Sequence, residues 1–194
     1  MLTAAALLAL AARVPSWYQP AQATPARHAL AESVEARVLS EISGAHPFGE
    51  PWTLSITDAE AAAWLNDRLP AWAANQKIDL PASASLPAAR FDDDEAAVAL
   101  TLRGSYGARV ITLAVPLDAH RPGPISVRIG SLPLPAFIVN RAAPAVQRLA
   151  LRETSNPDQP WRTIRLDDGR TVEFTAISAT NGTLTIHAVT RGKR

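Results

Sequence analysis

The change from sheet to helix in this chain falls at Ile129-Gly130-Ser131-Leu132-Pro133-Leu134-Pro135-Ala136-Phe137-Ile138-Val139. Pro133 and Pro135 lack a backbone donor and have a fixed φ, which forbids a regular hydrogen-bonded ladder here. Gly130, just before them, allows a backbone turn that other residues would resist. The hydrophobic pattern alternates before this stretch and repeats at helical spacing after it. We therefore interpret the stretch as a corner at which a sheet ends and a packing helix begins.

Three segments of alternating apolar residues precede the corner, at residues 98–102, 110–117 and 125–129. Short loops with glycine or proline separate them, so they are predicted to form an antiparallel meander. After the corner, apolar residues at helical spacing from Ile138 to Leu149 predict a helix. Pro144 inside that helix predicts a kink, because proline removes a backbone donor.

One strand and two helices are predicted before the meander. The apolar stripe of Leu30, Val34, Val38 and Ile42, broadened by Leu39, predicts an amphipathic helix over residues 26–43. Such a stripe is typical of a core face, and a partner-docking face is the alternative. Residues 51–56 alternate as a strand, and Thr57 with Glu60 matches a capping box at the start of the next helix. Pro70 is predicted to end that helix.

The C-terminal third is predicted to consist of strands joined by tight hairpins. Asp168-Gly169 and Asn181-Gly182 are sequences that favour two-residue turns, and a phase slip at Ala176-Ile177 indicates a bulge. The predicted fold class is α+β: a curved antiparallel sheet of about six or seven strands with two or three helices packed on one face. Residues 26–194 are assigned to this single domain, and residues 1–25 to an export signal or membrane anchor plus a linker.

The first residues predict export from the cytoplasm, with a buried cytosolic helix as the alternative. Leu2 to Ala12 are apolar or small, and this run has about half of the ~20 residues that a transmembrane helix needs. Its length suits a signal peptide, and Ala21-Gln22-Ala23 matches a signal-peptidase site. Trp17 and Tyr18, however, lie where interfacial aromatic residues would anchor a retained span. We expect an extracytoplasmic protein, anchored in the membrane or secreted, and cleavage and retention both stay open.

Composition and motifs exclude several classes of function. Nineteen basic and eighteen acidic residues give a net charge of +1, so nucleic acid is not an expected partner. The chain has no cysteine, which excludes disulfides, thiolate metal sites and a cysteine nucleophile. It also has no nucleophile elbow, phosphate-binding loop or dinucleotide-binding motif. We therefore expect neither an enzyme nor a cofactor.

Two groups of polar residues are candidates for a metal or acid–base site. Asp92-Asp93-Asp94-Glu95 is an acidic run, but it lacks the glycine and the twelfth-position glutamate of a calcium loop, so it is predicted to be a solvated turn. The four histidines are far apart in the sequence and form no i,i+4 pair, so surface or hydrogen-bonded positions are predicted for them. No metal site is predicted.

Three features, in this order, resemble the YpmS-like family of uncharacterised bacterial proteins. They are the entry from Leu54-Ser55-Ile56-Thr57 to Trp64-Leu65-Asn66, the corner from Gly130 to Pro135, which is similar to the family's G-x-L-P-L-P corner, and the closing strands around Asn181-Gly182. The resemblance covers residues 51–189, although the family often carries Leu-Asn earlier in its second helix. It implies an N-terminal membrane anchor and an extracytoplasmic domain of the cell envelope, with no catalytic residues to carry over.

Apolar side chains on facing elements predict a binding module for a lipid or another apolar molecule, associated with the membrane through its N-terminus. The site is placed between the helix after the corner and the strands beneath it, with the lining residues Val98, Leu100, Leu113, Val115, Phe137 and Ile138. The tryptophans Trp52, Trp64, Trp72 and Trp161 are further candidates for such a lining, with the core as the alternative. The alternative function is an envelope interaction or scaffold domain with a solid core.

Overall fold

The structure, a computed structural model, describes residues 10–20, 22–77, 80, 83–105, 107–118, 121–135 and 163–192. These residues form an α+β fold, which confirms the predicted class. The helices are α1 (Pro25–Ser43), α2 (Asp58–Asp67) and α3 (Leu69–Asn75). The strands are β1 (Pro51–Thr57), β2 (Ala84–Asp92), β3 (Glu95–Gly104), β4 (Gly107–Asp118), β5 (Arg121–Pro122), β6 (Ser126–Ile129), β7 (Leu132–Pro133), β8 (Thr163–Arg165), β9 (Thr171–Thr180) and β10 (Thr183–Arg191).

Helix α1 begins at a side-chain cap and is tied to α2 by an ion pair. Thr24 is the N-cap, and its hydroxyl accepts a hydrogen bond from the Arg27 N–H at 3.1 Å. The Arg27 guanidinium then donates to Asp67 at the end of α2, with an Nε to Oδ2 distance of 3.0 Å. Ala31 and Val34 are buried on the face that α1 turns to the rest of the fold. The predicted amphipathic helix is confirmed.

The strand β1 leads directly into α2 through the predicted capping box. The Thr57 hydroxyl accepts from the Glu60 N–H at 3.3 Å, and Glu60 Oε2 accepts from the Thr57 N–H at 2.8 Å. The prediction that Pro70 ends this helix is wrong. Helix α2 ends at Asp67, and Pro70 lies in the first turn of α3, where its missing N–H has no helical acceptor to lose.

The strands form two antiparallel sheets, whereas the sequence predicts one. The four-stranded sheet has the order β1-β10-β9-β8, and the six-stranded sheet has the order β2-β3-β4-β6-β7 with β5 paired to β4. The division arises because β1 pairs with β10 from the far end of the chain, from Pro51 opposite Val189 to Thr57 opposite Thr183. Hairpin signals specify only which consecutive strands pair, so no local pattern indicates this partner.

The two sheets meet at their hairpin turns. The Gly182 N–H donates to the Phe91 carbonyl at 2.8 Å, and the Asp94 N–H donates to the Ala179 carbonyl at 2.9 Å. Asp58, at the start of α2, joins both sheets, since its carboxylate accepts from the Phe91 N–H at 2.7 Å and its own N–H donates to Gly182. Burial raises the pKa of Asp58.

The turns and the bulge follow the sequence closely. Asn181 and Gly182 have φ of 50° and 75°, as the predicted two-residue turn requires. In β9, Ala176 pairs with His187 and Phe174 pairs with Ala188, so the register shifts at Thr175, one residue from the predicted bulge. In the acidic run, Asp93 and Asp94 have φ of 50° and 54° and form the turn between β2 and β3.

The corner is a tight hairpin between β6 and β7, so the prediction that the prolines forbid a paired ladder here is wrong for Leu132–Pro133. Gly130 has a φ of +60°, which confirms the prediction that this position needs a glycine. Pro133 lies opposite Arg128, and the next residue, Leu134, donates its N–H to the Val127 carbonyl at 2.8 Å. The helix predicted after the corner, including Phe137 and Ile138, lies outside the described residues.

Residues 10–20, here named the strap, lie across one face of the six-stranded sheet. Tyr18 is buried against Ala88, Ala99 and Val110, and its hydroxyl lies 2.7 Å from the Thr101 hydroxyl. The small side chains of this face allow an irregular segment to approach the strands closely. None of the helices in the described part of the chain is both long enough and apolar enough to cross a bilayer.

Candidate functional site

An apolar pocket of about 510 Å³ lies between the three helices and the edge of the six-stranded sheet. It is on the face of the sheet opposite the strap. Its lining residues come from α1, β1, α2, α3, β2 and β3, and they are Val34, Glu35, Val38, Leu39, Ile56, Glu60, Ala61, Trp64, Leu65, Trp72, Ala89, Phe91 and Val98. All of these side chains except the two glutamates are apolar or largely so.

The floor of the pocket is closed, and its mouth is bordered by exposed apolar side chains. Ala89 and Phe91 of β2 are buried at 8% and 6% exposure. At the mouth, by contrast, Leu39 is 61% exposed and Trp72 is 41% exposed. Large apolar side chains that border an opening in this way are typical of ligand or partner sites.

Two tryptophans form the wall that α2 and α3 contribute. The ring centroids of Trp64 and Trp72 are 6.4 Å apart with their planes tilted by 57°, which is a favourable arrangement for an aromatic pair. The indole N–H of Trp64 donates to Glu35 Oε2 at 3.2 Å, so the ring is held in one orientation across the gap to α1.

Glu35 and Arg68 clamp α1 to the junction between α2 and α3. Arg68 donates from Nε to Glu35 Oε2 at 2.7 Å and from Nη2 to Glu35 Oε1 at 3.1 Å, a two-pronged pair. The hydrogen bond from Arg68 lowers the pKa of Glu35 and raises the pKa of Arg68 itself. The Glu35 carboxylate is therefore ionised at neutral pH, and the Arg68 guanidinium balances its charge.

Glu60 and Arg37 form a second clamp at the other side of the pocket. Arg37 donates to Glu60 Oε1 at 2.6 Å and to the Ser55 carbonyl at 2.7 Å, so α1 is tied to both α2 and β1. Burial alone would raise the pKa of Glu60, but hydrogen bonds from the Thr57 N–H and from Arg37 outweigh it and lower this pKa. Each glutamate of the pocket thus has an arginine partner, and the wall carries no net charge.

The predicted lining residues are divided between the pocket and its surroundings. Val98 lies opposite Leu113, Leu100 opposite Ile111 and Val115 opposite Ala96, so these predicted residues do share one face of the sheet. Of them, only Val98 lines the pocket, and Val115 packs beside it against the cluster around Phe91. Phe137 and Ile138 are outside the described residues.

Two of the four candidate tryptophans, Trp64 and Trp72, line the pocket. Trp52 instead stacks on His46, with ring centroids 4.3 Å apart, and donates its indole N–H to Thr190 at 3.1 Å. Trp161 is outside the described residues.

The opposite wall, from α1, is what sequence reasoning missed. Val34 and Val38 belong to the apolar stripe of this helix and Leu39 broadens it, and the stripe was assigned to a core face. The width that Leu39 adds is also normal for a helix that packs on a core, so the stripe carried no signal that it borders a pocket.

The polar candidates do not converge on the pocket. In the described part of the chain, no three side chains of the metal-ligating types are grouped to hold an ion. Asp92 pairs with Arg90 at 2.8 Å, and this hydrogen bond lowers the pKa of Asp92. His46 Nε2 lies 2.6 Å from the Glu41 carbonyl, on the loop after α1.

We expect the two clamps to make stability depend on acid pH. Because Glu35 and Glu60 have lowered pKa values in the folded state, the unfolded chain binds their protons more strongly. Their contribution is therefore present near neutral pH and is lost as the pH falls below about 5, through the ordinary glutamate range and past it. The urea midpoint, measured across this range, is expected to fall less steeply in a Glu35→Gln/Glu60→Gln variant than in the parent. The raised pKa of Asp58 has the opposite effect on the pH dependence of stability, but Asp58 is present in both the parent and the variant. Parallel plots of urea midpoint against pH for the two proteins would contradict a stabilising role for the clamps.

Comparisons with protein-family models, curated proteins and solved structures found no match to this chain. The resemblance to the YpmS-like family, for which the corner is the most specific feature, stays a prediction. Function is therefore inferred from the pocket itself.

Proposed function

We propose that this chain is a non-enzymatic, membrane-associated extracytoplasmic domain whose pocket binds a lipid or another apolar ligand. The observation that carries the proposal is the pocket of about 510 Å³ between the helices and the sheet. Sites for small molecules are typically concave, mostly apolar and about 300–1,000 Å³ in volume. A solid core, which the scaffold alternative requires, would leave no such space between α1 and α2.

The charges around the pocket favour a hydrocarbon chain over a charged ligand. Glu35 is engaged by Arg68 and by the Trp64 indole, and Glu60 is engaged by Arg37 and by the capping box. A ligand cation would have to displace an arginine from a two-pronged or multiply bonded carboxylate. Hydrocarbon needs no such exchange, and each methylene that leaves water contributes roughly 0.8 kcal/mol.

The same clamps argue against acid–base catalysis in the pocket. A general acid or base works best with a pKa near the operating pH, and enzymes raise carboxylate pKa values to reach it. Here the pKa values of Glu35 and Glu60 are lowered by their hydrogen bonds. These carboxylates are suited to holding helices together, and no cofactor is part of the proposal.

The proposal is tested by asking what the natively purified chain carries. We expect an organic-solvent extract of the protein to contain a lipid-like molecule by mass spectrometry, and the emptied protein to take up a fluorescent fatty acid with saturation. A clean extract together with no saturable uptake would contradict ligand binding and favour the envelope scaffold, in which Leu39 and Trp72 would meet a protein partner.

A further inference from the structure

Beyond the acidic β2–β3 turn, the segments that form and cross the strap side of the six-stranded sheet carry arginines and no carboxylates. Residues 10–20, 96–117 and 123–135 contain Arg13, Arg103, Arg109 and Arg128 but no Asp or Glu. Arg103 lies on the face that the strap crosses, two residues from Thr101, and Arg128 lies on it opposite Thr112. Arg13, Arg103 and Arg128 are exposed, and we name these three residues the basic surface.

The net charge of +1 for the whole chain does not show that acidic and basic residues lie at different places on this sheet. The acidic turn Asp92–Glu95 lies at one end of β3, and Arg103 lies at the other end, next to the β3–β4 turn. The ten residues of β3 span roughly 30 Å, nearly four Debye lengths at physiological salt, so Arg103 and the acidic turn act on a partner separately. A uniform +1 protein would have no preference for a charged surface, whereas on this face the half from Ala99 to Gly104 carries exposed arginines and the half next to Glu95 carries the acidic turn.

The strap fixes Arg13 at this surface through backbone contacts. The Ser131 N–H donates to the Leu10 carbonyl at 2.9 Å. A Cβ on Gly130 would lie 2.6 Å from the carbonyl oxygens of Arg13 and Leu10, so only glycine permits this approach. The apolar run from Leu2 to Ala12 ends immediately before Arg13. The apolar run and the first arginine of the basic surface are therefore neighbours along the chain.

We propose that the basic surface docks on an anionic phospholipid membrane, with the strap side of the sheet facing the bilayer. A bilayer matches both features, because its phosphates attract arginine and its hydrocarbon accepts the apolar run. Nucleic acid would match the arginines but not the run beside them. This inference rests on the membrane association proposed above. It adds that the strap side of the domain is the side that faces the bilayer.

Vesicle binding by the full chain tests this orientation. The affinity is measured by co-sedimentation with phosphatidylcholine vesicles and with vesicles that also contain phosphatidylglycerol. We expect the parent to prefer the anionic vesicles and the preference to fall at high salt. An Arg103→Gln/Arg128→Gln variant is expected to lose about fivefold of the anionic preference per arginine, or roughly 25-fold in total. Its affinity for neutral vesicles should not change, because the apolar run is intact.

The matched control removes the same charge elsewhere. Arg165 and Arg191 are exposed on the four-stranded sheet, so an Arg165→Gln/Arg191→Gln variant has the same net charge as the test variant. It is expected to keep the anionic preference. An equal loss in both variants, or no loss in either, would overturn the proposal. Neither result affects the outcome of the lipid extraction, so failure of the docking proposal can be distinguished from failure of the proposed ligand binding.

Discussion

Replacing Gly130 with alanine is expected to lower the free energy of unfolding by about 3 kcal/mol. A left-handed conformation costs an L-residue roughly 1–2 kcal/mol, and Gly130 has a φ of +60°. The added Cβ would also meet three carbonyl oxygens of the strap, at 2.6 Å from Arg13 and Leu10 and at 2.7 Å from Ala11. These atoms are backbone, so they cannot rotate away, and the strap would have to detach.

The control for this substitution is Gly104→Ala on the same sheet. Gly104 ends β3, and a Cβ there would meet nothing within 4 Å. The change is expected to alter the unfolding free energy by less than about 0.5 kcal/mol. Urea denaturation of both variants measures the difference. Equal midpoints for the two variants would contradict the close contact between Gly130 and the strap.

Cleavage by a signal peptidase after Ala23 would remove the strap, and Ala88 and Ala99, which Tyr18 covers, would then be uncovered.

Filling the pocket with a side chain is expected to block ligand uptake. Ala61 of α2 lines the pocket, and in an Ala61→Phe variant the new ring occupies space that a hydrocarbon chain would need. Displacing even two methylenes costs about 1.6 kcal/mol, which corresponds to more than tenfold in Kd. The fold should tolerate the change, because the ring enters existing space and does not crowd a packed core.

Ala59→Phe is the matched control on the same helix. Ala59 is exposed and does not line the pocket, so the same ring there leaves the pocket open. Titration with a fluorescent fatty acid should give the parent affinity for Ala59→Phe and at least about tenfold weaker binding for Ala61→Phe. Unchanged binding by Ala61→Phe, with an unchanged urea midpoint, would place the ligand elsewhere.

The parts of the fold that follow local rules were predictable from the sequence. The capping box at Thr57 and Glu60 needs only residues three apart, and the turn at Asn181-Gly182 needs only two. Gly130 was identified because two prolines follow it and the chain must turn there. Pro70 shows the limit of such rules, since proline is compatible both with the end of one helix and with the first turn of the next.

The parts that depend on distant residues were not predictable. The division into two sheets follows from the pairing of β1 with β10, at opposite ends of the chain. Tyr18 beside an apolar run is typical of a membrane interface, yet its hydroxyl meets Thr101, which is 83 residues away. Nothing in the neighbourhood of either residue indicates the other.

The candidate site was predicted in part for the same reason. Val98, Trp64 and Trp72 were chosen as apolar residues that line a ligand site, and all three line the pocket. Their facing wall was assigned to the helix after the corner, whereas in the described residues it comes from α1. An apolar stripe has the same spacing whether it packs against a sheet or borders a cavity, so sequence alone does not separate these cases.

Photo-crosslinking tests the central claim, that the pocket between α1 and α2 holds an apolar ligand, most directly. The full chain is irradiated with a fatty acid that carries a diazirine on its hydrocarbon chain, and labelled peptides are mapped by mass spectrometry. The predicted label falls on residues 34–39 of α1 and 61–72 of α2 and α3, and an excess of unmodified fatty acid removes it. Label confined to other surfaces, label that competitor does not remove, or no label at all would contradict the claim.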